Sequence, residues 1–271
     1  MNPVRARVEI DQAWDSHTRV DHRVWDLLYA RQVEVLETRA SGAFLKGLKA
    51  LNLDRGGVPD FRVLNADLMA LTGWSLIAVP GLITDADFFA LLAARIFPAG
   101  RFIRTADQLN YLQEPDVFHD VFGHAPMLAD PIFADYMQAY GQGGLRALGR
   151  GQLHHLARLY WYTVEFGLVE EPGGLKIYGA GIASSHGESL YALEDPAPHR
   201  LGFDLRRIMR TPYRIDDFQS LYFAVPSLQT LLEATLADFD QLYASLSGAE
   251  DLELGAVVEG DRVLSKGLPP R

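Results

Sequence analysis

The chain contains no cysteine. That excludes disulfides, cysteine-ligated iron–sulfur clusters and thiolate zinc sites, and it is compatible with a reducing compartment. There is no excess of positive charge. Lys and Arg number 25 against 35 Asp and Glu, a net charge of −10. A general nucleic-acid-binding role wants a basic face and is disfavoured. No uninterrupted apolar run approaches the ~20 residues of a membrane span. The opening MNPVRARVEIDQAW has no apolar signal core, so we expect no secretion and a cytoplasmic location. Internal repeats and low-complexity linkers are also missing. What remains, 48% hydrophobic and 22% charged over 271 residues, is ordinary globular composition, enough for one large domain.

Against this background a few segments carry chemistry. The segment 114–124 reads EPDVFHDVFGH and contains His119 and His124. The segment 156–169 reads LARLYWYTVEFGLV, with Arg158, Thr163 and Glu165 as its only strongly polar side chains. Such a run must be largely buried, and a lone ionised carboxylate there is costly unless paired or metal-bound. Two imidazoles and one carboxylate on one face of an octahedron suit ferrous iron and leave positions open for oxygen and a co-substrate. The residues alone leave blander readings open. Glu165 could be a salt-bridged core glutamate, with Arg158 as the local partner. The histidines could be capping or core residues, because an i,i+5 pair lies about 140° apart on an ideal α-helix. Gly123 and Pro126 suggest that a helix from about 115 ends near 122, leaving His124 in a loop.

Periodicity and turn signals predict amphipathic helices at 20–37, 43–53 and 60–72, with Gly73 as a stop. A strand is expected at 75–79, and a helix capped by Thr84 running to about 96. Residues 101–105 read as extended. Helices are expected at 131–140 and 153–167, separated by the glycine-rich 141–151, and again at 184–193, 204–209 and 228–246. Short strands are expected at 175–178 and 221–224. The core spans about 20–246, and 247–271 reads as a loosely packed tail. The fold class is therefore mainly α with a few short β-strands.

Taken together, EPDVFHDVFGH, RLYWYTVEFGL and IYGAGIASSHGE resemble the pterin-dependent aromatic amino acid hydroxylases, most of all the short bacterial phenylalanine 4-hydroxylases. The resemblance runs from about residue 81 to 223. It implies one catalytic domain, a helical basket around a mononuclear iron held by His119, His124 and Glu165. It implies an iron(II)- and tetrahydropterin-dependent monooxygenase that converts L-phenylalanine to L-tyrosine with O2. Gly81, Ile83, Phe88, Asp120 and Tyr160 fall where the family binds its pterin, with Phe88 as the stacking ring and Asp120 where many relatives have Glu. Arg104 falls where the family grips the substrate carboxylate, and Ser184 lies near substrate and behind the iron. Trp161 and Ile215 fall at positions that bear on ring selectivity and favour phenylalanine. Leu112-Gln113 departs from the Thr-Pro of the mammalian phenylalanine enzymes. His154, His155, His186 and His199 match no ligand position. The mammalian regulatory domain has no room here and the tail lacks heptads, so a monomer is expected. Rivals are a tryptophan-acting hydroxylase, a zinc hydrolase using the same ligands, and a catalytically silent relative.

Overall fold

The computed structural model describes residues 2–110 and 114–268. The chain opens with α1 (Pro3–Val8), α2 (Arg19–Leu36), α3 (Gly42–Ala50) and α4 (Phe61–Thr72). Local chemistry sets these ends. Thr18 accepts from the Asp21 backbone while Asp21 reaches back, a reciprocal cap that starts α2. Gly73, at φ 74°, closes α4 in the left-handed region, as its position suggests.

A β–α–β unit follows: β1 (Ser75–Val79), α5 (Asp85–Ala93) capped by Thr84, and β2 (Ile96–Gly100), paired parallel to β1. Residues 101–105 form no strand. Their backbone is tied instead to the next segment, through Val117 N–H to Phe102 O and Arg104 N–H to the Asp116 carboxylate.

Next come a π-helix (Phe118–His124), α6 (Ala125–Leu128) and the 20-residue α7 (Pro131–Arg150). The expected break at 141–151 is absent. Gly141 and Gly144 do not loosen the helix; they let α5 approach it. A Cβ at Gly144 would lie 1.9 Å from the Phe89 ring, and one at Gly141 would lie 2.4 Å from the Ala93 nitrogen. Close packing against α5 outweighs the low helix propensity of glycine.

Beyond lie α8 (Leu153–Tyr160), a second π-helix (Trp161–Glu165), β3 (Leu168–Glu171) and β4 (Gly174–Ile177). Then α9 (Ala180–Ser184), α10 (His186–Glu194), β5 (His199–Gly202), α11 (Leu205–Met209) and β6 (Leu221–Val225) follow. The chain continues through α12 (Leu228–Ala234), α13 (Phe239–Leu246) and β7 (Val263–Ser265). The single helix expected over 228–246 is thus two. Asp238 accepts from Gln241 N–H and starts α13 afresh, the preference of Asp for caps over helix interiors.

The second sheet has strand order β4-β3-β6-β5-β7. The large apolar cluster lies among the helices and against this sheet, with Trp25, Trp74, Tyr136, Tyr178 and Phe223 fully buried. The mainly α expectation with a few strands agrees with this architecture. The loosely packed tail does not. β7 pairs with β5, Asp261 forms a buried ion pair with Arg207 at 2.8 Å, and Asp251 accepts from Arg158. The chain before residue 20 is also tied in, through the Ile10–Ala78 bridge. No helix among the described residues is long and apolar enough to cross a membrane.

Candidate metal centre

His119 and His124 come from the first π-helix and Glu165 is the last residue of the second. This corrects the sequence reading, which put His124 in a loop after a helix ending near 122. The chain stays helical through Gly123 and Pro126. An i→i+5 turn widens the helix, so residues five apart return to neighbouring directions, which an α-helix forbids. The His119 and His124 rings consequently meet edge to face, with centroids 5.1 Å apart. In the second π-helix the Phe166 N–H reaches the Trp161 carbonyl at 2.8 Å.

One donor atom from each of His119, His124 and Glu165 lies within 4.8 Å of the others. His124 Nε2 is 3.3 Å from Glu165 Oε1, and His119 Nε2 is 3.7 Å from Oε2. His124 and Glu165 are buried, whereas His119 keeps a partly open edge. Burial alone would raise the Glu165 carboxyl, but the facing His124 and His119 outweigh it and hold the acid at about 2, with the Tyr160 phenol helping. Arg158 is not its partner; that guanidinium turns to Asp251 and the Met209 carbonyl.

Ser184 Oγ lies 2.9 Å from His119 Nδ1. This occupies the ring nitrogen that faces away from Glu165, leaving Nε2 for a metal and fixing the ring's orientation. Ser184 can come so near because Gly123 has no side chain. A Cβ there would lie 2.9 Å from the Ala180 carbonyl, so α9 packs directly on the first π-helix. Phe97 covers His124 from the other side, ring centroids 4.6 Å apart.

Two nitrogens and one anionic oxygen, converging from rigid elements, fit the donor preferences of a divalent iron with open positions. The sequence pattern of the biopterin-dependent aromatic amino acid hydroxylases matches residues 13–243, most of the chain. The chain belongs to that family. It is 59% identical to the phenylalanine-4-hydroxylase of Caulobacter vibrioides over 258 residues, covering 95% of this chain and 88% of the relative. It is 54% identical to that of Ralstonia nicotianae, covering 97% and 84%. The fold superposes on the Chromobacterium violaceum phenylalanine hydroxylase with bound iron(III) and oxidised 7,8-dihydrobiopterin, with TM-score 0.91, 52% identity, and 95% and 93% of the two chains covered.

The remaining residues singled out in the sequence lie in several parts of the fold. Phe88 is half-buried and meets Tyr160 edge to face, centroids 5.8 Å apart, and Tyr160 in turn neighbours Glu165. Gly81 lies in the exposed turn between β1 and α5, with no atom within 4 Å of where its Cβ would be. Ile83 packs on a small separate cluster with Ile77, Val79, Leu91 and Ile96. Asp120 is buried at the end of β2, where its Oδ2 accepts from Gly100 N–H at 2.6 Å; burial raises its carboxyl.

Arg104 is not free. Its Nε and Nη2 grip the two oxygens of buried Asp116, each at 2.8 Å, and Nη1 is left without a partner among the described residues. Burial opposes ionisation of Asp116, but Arg104 outweighs it and lowers the carboxyl. Asp116 also accepts from His119 N–H at 3.1 Å, so one carboxylate links the arginine to the histidine segment.

Trp161 stacks on Tyr213 at 4.7 Å and on Phe166 at 5.7 Å. Ile215 is 77% exposed on a loop and forms no wall of this aromatic group. Leu112 and Gln113 lie outside the described residues. His155 and His199 serve local structure, through the Met209 carbonyl and the Gly267 N–H.

Asp116, Phe166 and Tyr213 were not singled out in the sequence. Asp116 carried a usable signal, an acid flanked by Pro115 and Val117 within the histidine motif. Tyr213 carried none, because 52 positions of chain separate it from Trp161.

Proposed function

We propose that this chain is a phenylalanine 4-monooxygenase that uses iron(II), a tetrahydropterin and O2. The carrying observation is the convergence of His119, His124 and Glu165 within 4.8 Å inside a fold of this family. The phenylalanine-4-hydroxylases among its relatives and the iron- and dihydrobiopterin-bound Chromobacterium violaceum structure support the substrate and the cofactors.

Bound iron and tetrahydropterin would supply the reductive activation of oxygen; the protein supplies ligation, orientation and shelter. His119, His124 and Glu165 hold the metal by Nε2, Nε2 and a carboxylate oxygen. Ser184 keeps the His119 ring turned. Phe88 offers its face to the flat pterin, with Gly81, Ile83 and Tyr160 around it and Asp120 as the neighbouring acid. Arg104, oriented by Asp116, presents Nη1 to the substrate carboxylate. Trp161, braced by Tyr213 and Phe166, bounds the space for the ring.

The chain is taken to act as one catalytic domain, as a monomer, in the cytoplasm. The cysteine-free sequence and the lack of a heptad pattern support this, and light scattering of the purified protein tests the monomer. The function is tested by aerobic incubation with ferrous iron, a tetrahydropterin and each aromatic amino acid in turn. Tyrosine formed from phenylalanine, dependent on all three additions, is the expected result. Preferential hydroxylation of tryptophan, or turnover without pterin, would overturn it.

A further inference from the structure

Ser184 can orient His119 only if its own backbone is held. It ends α9, a helix of five residues, and Ser185 turns the chain at once into α10. So short a helix leaves its last carbonyls without partners of their own. A side chain from elsewhere satisfies the Ala183 carbonyl, and the Ile182 carbonyl, which already accepts from the Ser185 N–H at 3.1 Å, gains a second donor. Gln32 Nε2, on α2, donates to the Ala183 carbonyl at 2.6 Å and to Ser189 Oγ at 2.8 Å. Ser189 Oγ donates onward to the Ile182 carbonyl at 2.7 Å. Gln32 is 2% exposed and Ser189 fully buried.

The Ala183 carbonyl belongs to the same peptide plane as the Ser184 N–H. The Gln32 amide therefore grips the unit from which the Ser184 side chain hangs. One and two turns earlier, α2 holds the other half of the pair. Tyr29 packs edge-on against Phe122, centroids 5.7 Å apart, and Trp25 packs against Phe118 at 5.2 Å. Both rings they touch belong to the π-helix that carries His119. One rigid helix thus sets the separation between the histidine and the hydroxyl that orients it.

We propose that Gln32, acting with Ser189, is a positioning residue for His119. It fixes the Ala183–Ser184 peptide so that Ser184 Oγ meets Nδ1 and His119 Nε2 keeps its aim. This rests on reading His119 as a metal ligand. A glutamine this deep would be costly to bury without such partners.

Gln32→Met keeps the length and volume but removes the donors. Ser189→Ala leaves the Gln32–Ala183 bond in place and removes the Gln32–Ser189 and Ser189–Ile182 bonds. Each is compared with wild type as the cobalt(II)-loaded protein, by its visible ligand-field absorption, and as the iron enzyme, by kcat and KM. Leu231→Ala, a buried α12 position remote from this network, controls for general destabilisation. Gln32→Met is expected to shift the cobalt bands, to weaken cobalt binding and to lower kcat, each loss about tenfold, the lower end of what partners behind a ligand contribute, with KM for phenylalanine little changed. Ser189→Ala shifts the bands the same way by less, and carries the test alone if Gln32→Met does not fold. Leu231→Ala lowers the melting temperature with the spectrum unmoved. Unchanged spectra and kcat in both network variants, with wild type binding cobalt, would overturn the positioning role and leave the metal centre standing. A wild-type protein that binds no cobalt would remove the metal reading and this proposal with it.

Discussion

Glu188 is a buried acid, 6% exposed, whose Oε1 accepts from the Tyr222 phenol at 2.8 Å. Burial pushes its carboxyl from the ordinary 4.5 up to about 7; the bonds from Tyr222 and the Gln219 backbone oppose the rise, and the charges of Glu165 and Asp217 add to it. The folded protein therefore keeps a proton that the unfolded chain releases between those values. Stability from this group is fully present below 4.5, falls as pH rises through about 7, and stays lost above it. At 1.36 kcal/mol per pH unit, the gap between 4.5 and about 7 amounts to about 3 kcal/mol. Glu188→Gln keeps an acceptor for Tyr222 and cannot ionise. We predict that the variant gains on wild type as pH rises from about 5 to about 9. For a chain of this size the gain should approach about 6–12 °C in melting temperature. The assay is thermal unfolding of chelator-treated protein across that range, wild type beside variant. A difference in melting temperature that does not change with pH would mean that Glu188 is already ionised in the folded state, and that its burial is relieved by water.

Glu165→Ala removes the anionic donor of the centre and is expected to abolish iron loading and turnover, checked by metal stoichiometry and product assay. Arg104→Lys keeps the charge but not the fork that holds Asp116. It should raise the phenylalanine KM by the equivalent of about 1.5–3 kcal/mol, and an unchanged KM would place Arg104 outside the substrate site. The same variant should melt lower, because buried Asp116 loses its bidentate partner, and this is read in the same unfolding assay. Trp161→Phe removes bulk between Tyr213 and Phe166. It should raise tryptophan over phenylalanine turnover about tenfold if the steric relief is near 1.4 kcal/mol, measured by competition between the two amino acids.

Where the determinants are local, the sequence was a good guide. The strand at Ser75–Val79, a short apolar run buried throughout, and the Thr84 cap of α5 follow from chemistry within a few residues. The candidate metal ligands were legible through the resemblance carried by their motifs, since the residues alone left blander readings open. What escaped was set by distant chain. The glycines of α7 read as a breaker until α5 is seen lying against them. β5 and β7 were not anticipated, since short strands gain stability only from partners supplied by the fold. Arg104 was expected to grip the substrate carboxylate, yet its Nε and Nη2 are taken by Asp116. Gln32 had no signal at all, being 151 positions from the carbonyl it holds.

The two π-helices have a further consequence. Each of their turns holds one residue more than the α-turn it replaces. Were the segment 118–124 to take α-geometry with its length kept, the two imidazoles, five residues apart, would lie about 140° apart while both remained in the sequence. The spacing HxxxxH is thus a ruler as much as a motif. The wider turn, not the spacing alone, decides whether the two imidazoles can share an ion.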